Sequence, residues 1–304
     1  MNEAKPILAV GSIALDSLET HRGRRDEILG GSATYFSIAA SLFAPVRLVG
    51  VVGDDFPSEG WEMLQSRNID LSSVQVAVGQ TFRWGARYNK DFSERQTLFT
   101  ELGVFATFRP EIKNGHQDTP FLFLGNIQPD LQISVSALVP QAEMVICDTM
   151  NLWIDQNVEK LKKVLERVHI FLLNDEEAIQ LTGINNLEQA ASALSGLGPE
   201  VVVIKRGSKG ALLAYDGKNI HIPIYPHVEV KDPTGAGDTF AGGLIGHLSR
   251  YGMDDLQNAV ITAAAVASFT VENFGLEGIL SATPESIQQR REVITQLMHV
   301  ELTE

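Results

Sequence analysis

Six short apolar runs, rich in β-branched residues, punctuate the chain: "ILAVGSIALD", "PVRLVGVVG", "FLFLGNI", "MVICDTM", "HIFLLN" and "VVVIKRG". They are continuous rather than alternating, so each reads as a strand buried on both faces. Segments with helical spacing lie between them, among them "GSATYFSIAASLF", "DQNVEKLKKVLERV" and "NLEQAASALSGLG". Such a succession predicts an α/β fold: a doubly wound, mainly parallel sheet covered by helices on both sides. The 304 residues suffice for one large domain of this kind, taken here as residues 1–304.

Two stretches break the rhythm. Residues 17–29, "SLETHRGRRDEIL", are short and polar. Residues 74–108 read as several antiparallel strands, with a turn at "NKDFSE". Together they predict a small sheet projecting from the edge of the main body. Within it, Phe82, Trp84, Ala86 and Tyr88 alternate with Arg83, Gly85 and Arg87. This period of two separates an aromatic face from a basic one. Arginines turned to a cleft would suit a carboxylate or phosphate on a ligand. Aromatics turned to it would suit a sugar ring or nucleobase. The alternation leaves the choice of face open.

Charge narrows the partners. Lys and Arg number 24 against 38 Asp and Glu, a net charge of −14. That surface repels nucleic acid and anionic membranes at long range, though a local field still decides whether an anionic substrate binds. The lone cysteine, Cys147, lies in a strand-like run, which rules out an intrachain disulfide and fits a reducing cytoplasm. The N-terminal "MNEAKPILAVGSIALDS" has no signal-type apolar region, and no run of about 18 apolar residues occurs.

The chemistry concentrates in "KDPTGAGDTFAGGLIGHL", residues 231–248. Pro233 stops the preceding segment, and Gly235, Ala236 and Gly237 then offer successive N–H groups at a helix N-terminus. Such a turn concentrates positive potential and binds an oxyanion. Asp238 falls in the first helical turn, where a carboxylate would repel that anion. It reads either as a first-turn acid favoured by the helix dipole, or as a base beside the anion site that takes the proton of an attacking hydroxyl.

"DPTGAGDTFAGG" resembles the C-terminal signature of the ribokinase-like, or PfkB, family of carbohydrate and nucleoside kinases. "ILAVGSIALD", "GGSATYFSIAA", "VRLVGVVGDDFPSEG", "LLNDEEA" and "VIKRGSKGALL" resemble further family segments, in family order, from residue 7 to about 278. The resemblance implies a small β lid over the acceptor and transfer of the γ-phosphoryl group of ATP to a hydroxymethyl group. Asp238 would be the base, with Gly235, Ala236 and Gly237 forming the anion hole. Asp16 would bind acceptor hydroxyls beside Gly30 and Gly31. Asn174 and Glu177 would organise Mg²⁺ and its water, and Lys205 and Gly207 would line the ATP side. Asp232 and Thr234 resemble a strand end that holds a monovalent cation such as K⁺ in several members. Asn174 also reads as the N-cap of "DEEAIQL", and the two roles are compatible. Lids of this family often make dimer contacts, so a homodimer is expected.

Two departures fall on the acceptor side. Tyr35 stands near the place where many sugar kinases carry an asparagine, and an aromatic cannot copy the paired hydrogen bonds of an amide. The family's Asp-Pro-Asn segment becomes "CDTMNLW". The expected activity is therefore ATP-dependent phosphorylation of a primary hydroxyl of a sugar or sugar-like molecule. A nucleoside kinase is the alternative, and a non-catalytic ligand sensor stands third. No Walker A pattern, G-x-G-x-x-G, G-x-S-x-G or metal-ligand histidine spacing is present, and His247 reads as a helix-packing residue.

Overall fold

In the computed structural model, which describes residues 3–301, the apolar runs become the middle of a nine-stranded sheet. The chain opens with β1 (Ile7–Val10), β2 (Ala14–Thr20), β3 (Gly23–Gly30) and helix α1 (Ser32–Ala40). Next come β4 (Val46–Gly53), α2 (Ser58–Gln65), β5 (Ile69–Ala77), β6 (Phe82–Tyr88) and β7 (Arg95–Glu101). The central part runs β8 (Phe121–Leu124), α3 (Pro129–Leu138), β9 (Met144–Asp148), α4 (Asn151–Leu165), β10 (Ile170–Asn174), α5 (Asp175–Thr182) and α6 (Leu187–Ser195). Strand β11 (Val201–Lys205) leads to a hairpin of β12 (Ala211–Tyr215) and β13 (Lys218–Ile222). Helices α7 (Ala236–Tyr251), α8 (Leu256–Thr270), α9 (Glu277–Leu280) and α10 (Pro284–Glu301) complete it.

The strand order is β13-β12-β11-β10-β9-β8-β1-β4-β5. Every pair from β11 to β5 is parallel, and only the β12–β13 hairpin adds antiparallel strands at one edge. Alternate residues of each run feed two cores. Ile7, Ala9, Leu48, Phe123, Ile146, Leu172 and Val203 pack under α1, α7 and α8. Leu8, Val10, Val49, Leu124, Cys147, Leu173 and Ile204 pack against α3 to α6. Both faces are dry, which is why the runs are continuous. Among the described residues no helix is long and apolar enough to cross a membrane.

The second sheet has four strands in the order β3-β2-β6-β7. It differs from expectation in three ways. Residues 69–77 belong to the main sheet, where β5 pairs β4 and Leu71 and Val74 pack on the core, so the later lid strands are 82–88 and 95–101. The run "ILAVGSIALD" breaks after Val10, placing Asp16 on lid strand β2 rather than at the end of β1. One lid pairing, β2 with β6, is parallel. These strands follow β1 and β5, which point the same way in the main sheet, so they leave it in the same direction.

Candidate active site

Parallel strands collect at their C-terminal edge, and in an open sheet ligands bind there where the strand order reverses. Here the chain runs β1, β4, β5 to one side, then returns to β8 and continues to the other. Around that edge stand Asp16, Asp148, Glu177 and Lys205, facing the N-terminus of α7.

Gly235 caps α7 with φ 75°, a left-handed conformation that favours glycine. A Cβ there would lie 2.3 Å from the Tyr35 ring, so the turn is pressed onto that side chain. Tyr35 is therefore 1% exposed beneath the turn, not a hand held out to an acceptor, and its hydroxyl has no hydrogen-bond partner among the described residues. The amides are not equivalent. Ala236 N–H donates to Pro233 O at 3.3 Å, whereas among the described residues the N–H groups of Gly235 and Gly237 have no backbone acceptor. Of the three amides expected to face an anion, only those of Gly235 and Gly237 are without such an acceptor.

Asp238, in the first turn of α7, is half-buried. Desolvation raises its pKa to about 7, the Asp148 carboxylate adds to the rise, and the Lys205 ammonium opposes it. Lys205, at the end of β11, donates to Asp148 Oδ2 at 2.7 Å, and its Nζ is 3.2 Å from where a Gly237 Cβ would be. Sequence reasoning missed Asp148. Its signal was an acid ending the apolar run "MVICD", the place where β9 reaches the ligand-binding edge.

Asn174 and Glu177 form a capping box at the start of α5. Asn174 Oδ1 accepts from Glu177 N–H, and Glu177 Oε2 accepts from Asn174 N–H, both at 2.8 Å. Glu177 is 5% exposed, and burial lifts its pKa to about 7, with Lys205 pulling it down and Asp148 pushing it up. Its Oε1 takes no part in the box. Among the described residues no three acids, histidines or cysteines gather into a metal cage. A magnesium ion arriving with nucleotide phosphates needs only one or two carboxylates, and Glu177 and Asp148 fit that demand. Gly207 opens the short turn after β11 with φ 54° and free space around it, on the same rim.

Across the cleft, Asp16 on β2 is 3% exposed. Burial raises its pKa to about 7, the Gly31 N–H lowers it, and Asp232 and Asp238 raise it further. A Cβ on Gly30 would stand 1.9 Å from Asp16 Oδ2, so only glycine lets the carboxylate lie there. Asp16, Gly30, Gly31 and Asp238 are thus brought to one cleft.

Other expected residues are used differently. Asp232 accepts from Thr234 N–H at 3.0 Å and from Gly275 N–H at 3.2 Å, and the Thr234 hydroxyl pairs with the Tyr88 hydroxyl at 3.0 Å. These bonds clamp the turn before α7 to the lid and to the Gly275 loop. Partners in adjacent strands project to the same side, so the pairs Asp16–Trp84 and Leu18–Ala86 put the aromatic face of β6 over the cleft. Arg83 and Arg87 point the other way. Arg83 pairs with Glu27 at 2.7 Å and Asp55 at 2.8 Å, and Arg87 with Glu19 at 3.0 Å. Both arginines are thus engaged by carboxylates, Arg83 by Asp55 of the main body as well as by Glu27 of the lid.

Free amides at the start of α7, raised carboxyls beside them and the Lys205 ammonium form a set of groups that can handle a phosphoryl group and an alcohol. The chain belongs to the pfkB family of carbohydrate kinases, whose sequence profile matches residues 8–282, and it is accordingly a phosphotransferase. It is 32% identical to the cytidine kinase of Thermococcus kodakarensis over 251 residues, covering 80% of this chain and 88% of that protein. Its fold matches the nucleoside kinase of Burkholderia thailandensis in complex with inosine (TM-score 0.80, 20% identity, 95% of this chain and 98% of that one). It also matches the ribokinase of Arabidopsis thaliana complexed with ribose and ATP (TM-score 0.75, 24% identity, 95% and 99%).

Proposed function

We propose that this kinase transfers the γ-phosphoryl group of ATP to the primary hydroxyl of a nucleoside, with Asp238 as general base. The observation that carries this reading is the position of Asp238: a carboxylate with pKa raised to about 7, in the same helical turn as the Gly235 and Gly237 amides, which among the described residues have no backbone acceptor, and beside Lys205. Near neutral pH such a group is ionised often enough to act and basic enough to receive a proton.

Asp16 accepts hydrogen bonds from the acceptor's secondary hydroxyls and fixes the primary hydroxyl toward Asp238. Asp238 takes that hydroxyl's proton as its oxygen bonds to the γ-phosphorus, while the bond from phosphorus to the bridging oxygen breaks and ADP leaves with the electron pair. The Gly235 and Gly237 amides and the Lys205 ammonium stabilise charge on the moving group. Glu177, with Asp148 beside it, would hold the magnesium that accompanies ATP, whose charge would offset that of the phosphates. Asp232 and Thr234 position the turn.

Two observations favour a nucleoside over a free sugar. The cleft face of the lid carries Trp84 and Tyr88, flat surfaces suited to a base. The relative that is 32% identical is a cytidine kinase. The test is turnover with Mg-ATP over nucleosides, free sugars and inositols, for wild type and Asp238→Asn. A nucleoside should be turned over best, and the variant should lose about three decades in kcat or more while acceptor binding is nearly kept. Equal turnover by the variant removes Asp238 from the mechanism. A preference for free pentose or hexose overturns the nucleoside assignment.

A further inference from the structure

The lid sheet is irregular just where Asp16 stands. Asp16 on β2 pairs with Ile28 on β3, and the next pair is Leu18 with Arg25. Strand β2 thus advances two residues (18 − 16) while β3 advances three (28 − 25), a bulge with the extra residue on β3. Glu27 lies inside it with φ 51°, a left-handed conformation that costs a residue with a Cβ. Its N–H donates to Ser17 Oγ at 3.2 Å, across the bulge and next to Asp16 along the chain. A bulge bends its strand and re-aims the side chains beside it, so the conformation of Glu27 helps to set where the Asp16 carboxylate points. The same strand meets that carboxylate again at Gly30, where no Cβ fits.

Glutamate has no preference of its own for that conformation, and its side chain is held by Arg83 on β6. The Arg83 Nε donates to Glu27 Oε1 at 2.7 Å, one terminal nitrogen to Asp55 Oδ2 at 2.8 Å, and the other to Thr81 O at 3.2 Å. All three nitrogens of the guanidinium are engaged, and the side chain is only 17% exposed. Asp55 belongs to the main body, in the loop after β4. Its Oδ1 accepts from the N–H and the hydroxyl of Thr81, both at 2.7 Å, and Gly53 N–H donates to that hydroxyl at 2.9 Å. Thr81 is fully buried and immediately precedes lid strand β6.

A chain of hydrogen bonds therefore leads from the end of β4, through Asp55 and Arg83, to the bulge beside Asp16. An isolated exposed ion pair contributes little, because two long side chains must be ordered to make it. Here the guanidinium is ordered already by Asp55 and Thr81, so the bond to Glu27 is made by a pre-placed group. Arg87, two positions along the same face, makes the contrast: its partner Glu19 is itself a lid residue, on β2.

We propose that Arg83 is a positioning residue for the acceptor: anchored to the main body at Asp55, it holds Glu27 in its left-handed conformation and so sets the bulge that aims Asp16. It touches neither substrate nor reacting atoms. The proposal rests on the reading of Asp16 as the acid that binds the acceptor, not on which acceptor is used.

The test is steady-state kinetics with Mg-ATP and cytidine as the probe acceptor. Arg83→Ala should raise the acceptor KM about tenfold, the scale of a lost hydrogen bond to a charged group. The KM for Mg-ATP and kcat should stay within about threefold of wild type, since only acceptor binding is loosened. Glu27→Ala should match Arg83→Ala. Glu27→Gly should return the acceptor KM to within about threefold of wild type, because glycine takes a positive φ without being held there. Loss of a merely structural ion pair would make the glycine variant no better than the alanine one. The Glu27 side chain is 59% exposed, so these two variants keep the fold even if Arg83→Ala does not. In an Asp16→Asn background, Arg83→Ala should add nothing further to the acceptor KM, the mark of two residues acting through one another. Arg87→Ala should behave as wild type. An unchanged acceptor KM in Arg83→Ala, or a Glu27→Gly variant as poor as Glu27→Ala, overturns the proposal while the Asp16 reading stands. If Asp16→Asn alone leaves the acceptor KM unchanged, the role of Asp16 fails and the proposal falls with it. If a sugar is turned over in place of cytidine, the nucleoside assignment fails alone and the same comparison is made on that sugar.

Discussion

Asp238, Glu177 and Asp16 are held in a site that disfavours their charge. Each has its pKa raised to about 7, with burial the largest cause, against about 4 for such groups in an unfolded chain. The folded state therefore keeps protons that the unfolded state releases between those values. The resulting stability is fully present below about pH 4 and is lost as pH rises through about 7. Asp238→Asn removes one of these titrations without changing the shape of the side chain. Its thermal midpoint should exceed that of wild type by about 2–6 °C at pH 8, with a smaller gain at pH 5, by scanning calorimetry. A variant that melts with or below wild type at pH 8 contradicts the picture of a carboxylate held in place against its own desolvation.

At the level of elements, one helix start serves both stability and the site. The Asn174–Glu177 box satisfies two N–H groups at the head of α5 and fixes the rotamer of a carboxylate at the cleft rim. Asn174→Ala removes the cap acceptor, which costs about 1 kcal/mol. The thermal midpoint should fall by about 2–4 °C, and Asn174→Asp, which keeps a cap acceptor, should restore most of it. An alanine variant that melts like wild type would show that the box does not bear on the helix. Helix α7 makes a different use of its start. Gly235 turns the chain, and among the described residues the Gly235 and Gly237 amides have no backbone acceptor, the orphan donors to which the proposed function gives a phosphoryl group.

For the whole molecule, the lid and the body meet close to where the chemistry is proposed. The Tyr88–Thr234 bond joins β6 to the anion-binding turn, and Thr20 on β2 donates to Lys231 O at 3.0 Å just before it. Lid position and turn position are thereby linked. Tyr88→Phe keeps the ring and removes the hydroxyl bond, worth about 1 kcal/mol. The acceptor KM should rise about fivefold with kcat within twofold of wild type, because closure is weakened while the catalytic groups stay. A collapse of kcat in steady-state assays would instead place the Tyr88 hydroxyl in the reaction itself.

The sequence by itself determined the layers. Runs such as "VVVI" and "MVIC" are apolar at every position, and only a strand covered on both faces buries them all, so the parallel sheet and its helices were legible. The turn before α7 was legible too, because glycine and proline act locally on the backbone. Tertiary structure decided which faces meet. The alternation in β6 announced two faces but not their direction, and the answer came from β2, whose Asp16 and Leu18 stand beside Trp84 and Ala86. The role of Tyr35 came from Gly235, and the partner of Lys205 from Asp148, each far away along the chain. Patterns of one or two residues are written into local sterics and burial. Pairings over tens of residues exist only once the chain has closed on itself.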